Sequence, residues 1–422
     1  MSILDTVIEN SLESLNIEHF YNDYLVADKR TPAHDMSLGE IANVHYSENQ
    51  YGLYKRFLTE HDLQNKLTRY GGAEGTLETV LITAKHAGAL TGLSELDERH
   101  ITFFDGAQDA ISNVISCTVS PLGSGYRNKQ FVLAAIPSYP YAASILNQKC
   151  GVKLFQAFSG DEFTQGVVDC IDETIGAILV NIPQNPLGYI LTADHAERIN
   201  HAARLHDCAI IVDMVYAGFA DKGDIQQALS QFDPERTIYC DSFSKIFGLP
   251  GLRLGMAFSR NQQICSALRA VKSAHSLLPS ALKYLFIGYL LKNHQGLIEA
   301  IQSSLRMRHH LFASSFEALN SSAARLLPSD NHLYRCIDLG GMSITSDKAL
   351  DEWTYSLEKM TGVRVTSGSK FFPKINFVQN NSPKYMYCSS GLTYKPFWRI
   401  SLGKEPEIEA VSQKICNFLR NH

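Results

Sequence analysis

Six short apolar runs, separated by helical or turn-rich stretches, constrain the fold of this chain more than any other feature. HITFF from His100, QFVLAAI from Gln130, VKLFQAF from Val152, AILVNI from Ala177, AIIVDMV from Ala209 and RLGMAFS from Arg253 read as buried strands. Between the fourth and fifth runs Thr192 is a candidate N-cap, and Ala196, Ile199 and Ala203 share one helical face. Strands alternating with helices predict an α/β domain with a mixed, mostly parallel sheet. Ligands of such sheets bind beyond the carboxyl ends of the strands. The polar residues considered below cluster just after those ends.

At 422 residues the chain is long for one domain. A long helical pattern over 297–319 leads into GVRVTSGSKFF and FWRISLG, strand-like pieces separated by polar loops. We therefore expect a large domain over 61–310 and a smaller α+β domain over 311–422. Residues 1–60 are expected to form a segment that packs with the small domain.

Composition narrows the function classes. The net charge is −5, which provides no electrostatic footprint for nucleic acid or an anionic membrane. The start, MSILDTVIEN, places Asp5 and Glu9 where a signal peptide needs basic and then apolar residues. The most apolar run, 281–291, is short and carries Lys283, so it predicts a buried helix. Nine scattered cysteines without a C-x-x-C pair suggest reduced thiols in the cytoplasm, with neither a disulfide framework nor a zinc site.

SFSKIFGLPGLRLG, residues 242–255, is the most informative stretch. It follows the strand-like TIYC and sets two hydroxyls, a lysine and an arginine around three glycines. Glycines let backbone approach a ligand closely. Hydroxyls with a guanidinium suit a phosphate dianion. A lysine beside Ile246 and Phe247 is a candidate for a lowered pKa and Schiff-base chemistry. The bland alternative is a polar loop with a surface lysine.

In these residues the chain resembles the class I/II aminotransferases, the fold-type I pyridoxal-phosphate enzymes. Their lysine motif has the form S-x-S-K-x-x-G-x-x-G-x-R-x-G, and Ser242, Ser244, Lys245, Gly248, Gly251, Arg253 and Gly255 fit it. The resemblance implies pyridoxal 5′-phosphate held as a Schiff base on Lys245, which later moves the Cα proton. Ser242, Ser244 and Arg253 would belong to the phosphate cup.

Other segments agree with this. AIIVDMVYAGF carries Asp213 and Tyr216, matching the family's D-x-x-Y. An electron-sink pyridine needs a protonated nitrogen, so a facing carboxylate is a chemical requirement. Asp213 is the candidate, and Tyr216 would hydrogen-bond the ring's phenolic oxygen. NIPQNPLGYILT resembles the N-x-P-x-N-P-x-G turn, in which Asn185 would donate to the same oxygen. The family usually has Thr where this chain has Leu187. FFDGAQDAI puts the backbone of Gly106, Ala107 and Gln108 at a helix start, where free N–H groups and the helix dipole bind phosphate.

IPSYPYA supplies Tyr139, expected to stack on the pyridine ring, although a core tyrosine is the ordinary alternative. RYGGAEGTLETV contains Tyr70 and Gly75, resembling a segment whose tyrosine reaches the partner subunit's cofactor phosphate. That would make the protein a homodimer with shared active sites. FWRISLG offers Arg399, the planar two-pronged cation that a substrate carboxylate needs. SLGE places Gly39 where the family's backbone approaches substrate.

The resemblance runs over about residues 37–403 and implies an aminotransferase exchanging an amino group between an L-amino acid and a 2-oxo acid by a ping-pong route. β-Elimination, ring closure and amino-acid oxidation share the same Cα chemistry and stay open. A non-enzymatic regulator on this fold would carry a DNA-binding domain, and only about 37 residues precede the first family-like segment. Aromatic residues in 17–26 are candidates for facing the substrate side chain, or equally for a dimer contact.

Overall fold

A computed structural model describes residues 32–42, 46–68, 75–123, 128–142, 145, 148–276, 279–317, 323–372, 385–388 and 393–421. Tyr70 and the aromatic residues of 17–26 lie outside these.

Fourteen strands occur among the described residues, numbered in chain order: β1 (His34–Asp35), β2 (Ile101–Phe104), β3 (Phe131–Ile136), β4 (Gly151–Gln156), β5 (Ile175–Asn181), β6 (Ala209–Asp213), β7 (Thr237–Ser242), β8 (Gly255–Phe258), β9 (Arg325–Leu326), β10 (Tyr334–Asp338), β11 (Val363–Arg364), β12 (Thr366–Ser367), β13 (Tyr385–Tyr387) and β14 (Phe397–Ser401). Eight form one sheet in the order β13-β4-β3-β5-β6-β7-β8-β2. All its pairings are parallel except those of β8 with β7 and β2. All six apolar runs of the sequence are strands of this sheet.

Their residues are apolar in succession because both faces are covered. Leu133, Ala135, Ile178, Val180, Ile210, Val212 and Tyr239 pack into one core. Val132, Ala134, Ala177, Leu179, Ile211, Ile238 and Cys240 pack into another. The period-2 alternation of a pleated strand thus divides each run between two helical layers. The apolar run at 281–291 is a helix, Ala281–Asn293, in the first layer.

The helix Ala193–Leu205 begins where its residues call for it. Thr192 accepts from the His195 N–H, and the His195 side chain accepts from the Thr192 N–H, a reciprocal cap.

A four-stranded sheet, β12-β14-β10-β9, carries a third core with Trp398, Ile400, Phe312 and Leu357. The parallel pair β1–β11 lies beside it. GVRVTSGSKFF, read as strand-like, is two short strands followed by a 3₁₀ turn at Gly368–Phe371. Only glycine fits at the start of this turn, because a Cβ on Gly368 would lie 2.7 Å from the Phe397 carbonyl. The N-terminal region divides: residues 34–35 pair with β11, whereas Leu53 and Phe57 of the helix Gln50–Glu60 enter the core of the large sheet. No described helix is long and apolar enough to cross a membrane.

Candidate active site

The strands β2, β3, β5, β6 and β7 all point their carboxyl ends to one edge of the sheet. There the chain leaves β6 at Asp213, β5 at Asn181 and β7 at Ser242, and the small sheet brings Arg399 on β14 against them.

Lys245 sits in the short helix Phe243–Ile246, capped by Ser242. Its Nζ donates to the Gly39 carbonyl at 2.8 Å. Burial pulls its pKa down to about 8, aided by Arg399 and Arg253 and opposed by Glu40. A neutral amine is therefore accessible near pH 8, which an exposed lysine does not offer.

Asp213 is buried. Its Oδ2 accepts from Tyr141 Oη at 2.5 Å and its Oδ1 from the Val215 N–H at 3.2 Å. Burial pushes its pKa up to about 6 against the pull of those donors. A carboxylate buried without a cation costs stability, and an N–H⁺ set against it would recover that cost.

Asn185 and Tyr216 meet: Asn185 Nδ2 donates to Tyr216 Oη at 3.4 Å. Asn185 Oδ1 accepts from Arg399 Nη1 at 3.0 Å. Arg399 Nη2 donates to the Ser37 carbonyl at 2.6 Å. The carbonyls of Ser37 and Gly39, in one short segment, thus accept from Arg399 and Lys245.

On the other side, Gly106 opens the helix Ala107–Thr118 with φ 102°, a region that glycine adopts freely. A Cβ there would lie 2.5 Å from Arg253 Nη2, so the guanidinium rests against the helix start. Arg253 itself takes φ 54°, a left-handed conformation costing about 1 kcal/mol in a non-glycine residue. Ser242 Oγ accepts from the Ser244 N–H at 3.1 Å and lies 3.0 Å from Ser244 Oγ. Gln108 Oε1 accepts from Tyr139 Oη at 3.1 Å. Hydroxyls, N–H groups and a guanidinium gathered at a helix start fit a phosphate dianion.

Gly255 makes this approach feasible. A Cβ on it would lie 2.5 Å from Gly106 C, 2.7 Å from Ala107 N and 2.8 Å from the Asp241 carbonyl, all rigid backbone. Gly255→Ala is expected to cost about 2–3 kcal/mol, read as a lowered urea midpoint, and to weaken binding of inorganic phosphate.

Tyr70 lies outside the described residues, whereas Gly39, Gly106, Gln108, Tyr139, Asn185, Asp213, Tyr216, Ser242, Ser244, Lys245, Arg253 and Arg399 line this cleft or its walls. Four contributors were missed. Tyr141 is two residues beyond Tyr139 and no motif marks it. Tyr334, on β10, stacks under Arg399 with the guanidinium carbon 4.3 Å from its ring centroid. Lys272 and Lys283 bracket Asp105: Lys272 Nζ lies 2.9 Å from Asp109 and 3.3 Å from Asp105, and Lys283 Nζ 2.7 Å from Asp105. Burial draws Asp105 upward, but the two lysines hold it below its ordinary range. The acidic helix start is thereby neutralised beside the candidate anion site. No group of His, Cys, Asp and Glu able to hold a metal ion occurs among the described residues.

Comparison with known proteins agrees with the cleft. The family model for aminotransferase class I and II matches residues 41–409. The chain is 24% identical over 304 residues to 1-aminocyclopropane-1-carboxylate synthase 2 of Oryza sativa subsp. japonica, covering 66% of this chain and 60% of that protein. It is 28% identical over 193 residues to a histidinol-phosphate aminotransferase of Cytophaga hutchinsonii, covering 45% and 51%. The matches thus span about half to three fifths of those relatives' lengths. In fold it is similar to a Thermus thermophilus aspartate aminotransferase, with a TM-score of 0.73 at 17% identity over 97% of this chain and 96% of the other. With the family model covering most of its length, the chain belongs to the class I and II aminotransferases, a family whose cofactor is pyridoxal 5′-phosphate.

Proposed function

We propose that the protein transfers an amino group between an L-amino acid and a 2-oxo acid by a ping-pong route. The observation that carries this reading is a Lys245 amine whose pKa is drawn down by burial, set in one cleft with the Arg399 guanidinium, Asn185 and Tyr216. An amino acid carries its carboxylate on the Cα whose proton is to be moved, and an arginine fork fixes that carboxylate in two dimensions.

In this reading Gly106, Ala107, Gln108, Ser242, Ser244 and Arg253 hold the cofactor phosphate and Tyr139 faces its ring. Asp213 keeps the ring nitrogen protonated, and Asn185 and Tyr216 hold the phenolic oxygen. When bound, the cofactor supplies an electron sink to the substrate Cα. Arg399 exchanges the Ser37 carbonyl for the substrate carboxylate. Lys245, released from the Gly39 carbonyl, would take the Cα proton and return it on the far side of the amino nitrogen, two atoms away. Tyr70 would complete the phosphate site of a partner subunit in a homodimer, and the division into domains at about 60 and 310 belongs to the same proposal.

A cyclising or β-eliminating reaction at the same Cα is the second reading, supported by the likeness to the Oryza synthase. A panel of amino acids, added singly to cofactor-loaded protein without keto acid, separates the two. Transamination bleaches the visible band once, and an added 2-oxo acid restores it. Continuous release of ammonia or a cyclic product, with no need for a keto acid, would replace the first reading by the second.

A further inference from the structure

Tyr334 is fully buried, and three groups of the cleft converge on it. Its Oη lies 3.2 Å from Tyr216 Oη, and the two rings meet edge to face with centroids 5.2 Å apart at 73°. The Arg399 guanidinium lies over its ring, and also over that of Phe371 at 4.9 Å. A Cβ on Gly39 would lie 1.8 Å from Tyr334 Oη and 3.3 Å from Lys245 Nζ. Glycine at position 39 is therefore needed to admit the tyrosine hydroxyl next to the lysine.

We infer that Tyr334 is a positioning residue of this site, its ring fixing the plane of Arg399 and its hydroxyl setting the direction of the Tyr216 proton. The inference rests on the cofactor and substrate roles proposed above for Tyr216 and Arg399.

The geometry supports both halves. A guanidinium slides and tilts easily around two hydrogen bonds, and packing over an aromatic face removes that freedom while adding cation–π attraction. Tyr216 Oη receives a donor from Asn185. In the inferred arrangement Tyr334 Oη, 3.2 Å away, is the second donor, which leaves the Tyr216 proton to turn toward the open cleft. The charged groups facing the hydroxyl pair are Arg399 on β14, Asp213 at the end of β6 and Lys245 beyond Gly39.

Two substitutions separate the halves. Tyr334→Phe keeps the ring and removes the hydroxyl; Tyr334→Leu removes both. In cofactor-loaded protein, a Tyr216 proton no longer aimed at the bound group stabilises its phenolate form less. The pH midpoint of the visible band should rise by roughly 0.3–1 unit in Tyr334→Phe. Phenylglyoxal labelling of Arg399, read by peptide mass spectrometry on the full chain with and without cofactor, should be unchanged in Tyr334→Phe. It should quicken about three- to tenfold in Tyr334→Leu, with Tyr334→Met as substitute if the leucine variant does not fold.

A midpoint unmoved in Tyr334→Phe overturns the hydroxyl's role, and unchanged labelling in the ring-deleted variant overturns the ring's. A fall in melting temperature alone would make Tyr334 an ordinary core residue. Wild-type protein lacking the visible band would instead count against the cofactor roles, and the labelling arm would still decide for Arg399.

Discussion

Lys245→Ala abolishes the visible band of the cofactor-loaded protein and lowers turnover by roughly 10,000-fold or more. The expectation follows from two properties of the wild-type amine. It reaches into the cleft to the Gly39 carbonyl, and burial with two neighbouring arginines pulls its pKa down to about 8. At pH 8 about half of the molecules then carry a neutral amine. Lys245→Arg is the sharper control, because it keeps a long cation that reaches Gly39 but stays protonated throughout the accessible range. It should be as inactive as the alanine variant. Residual turnover above a hundredth of wild type in either variant, followed by coupled assay of the 2-oxo acid formed, would assign the proton transfer to another group.

Asp213→Asn is expected to separate activity from stability. Its carboxyl is pushed from 3.8 up to about 6 by burial, so ionising it in the folded, cofactor-free protein costs about 3 kcal/mol. Because the folded value lies above the unfolded one, the group favours folding below pH 4, and this advantage is lost as pH rises through 6. Asparagine avoids the cost and still offers Tyr141 a carbonyl acceptor. Cofactor-free Asp213→Asn should therefore be more stable than wild type at pH 8, by up to about 3 kcal/mol in urea unfolding, and no more stable at pH 4. Turnover should fall roughly 1,000-fold, because a neutral amide does not hold a pyridine nitrogen protonated. A variant less stable at pH 8 would show that the carboxylate is not a burden in the free protein.

Lys245, Asp213, Asn185 and Arg253 were legible in the sequence because their chemistry is confined to short segments that each follow a strand. Tyr141 and Tyr334 carry no such mark among 19 tyrosines. Tyr334 acquires its meaning from Gly39, Tyr216 and Arg399, which come from three distant parts of the chain. The same holds for Lys272 and Lys283, whose partners Asp105 and Asp109 lie more than 160 residues away. Strand periodicity exposed the large sheet, since both its faces are apolar. It did not anticipate β13, three residues long and set among polar neighbours. Nor did it show that the helix Gln50–Glu60 turns its apolar face to the large sheet.

β13 has a consequence for the order in which this protein is made. Seven of the eight strands of the large sheet have left the ribosome once Phe258 has emerged, but β4 then pairs on one side only. The strand that covers its other side, Tyr385–Tyr387, follows well over a hundred residues later. At about 5–20 residues per second the nascent sheet presents a bare backbone edge for roughly ten seconds. Such an edge templates pairing with neighbouring chains on the same message. Soluble yield should accordingly respond to translation speed and chaperone supply more than the stability of the finished fold would suggest.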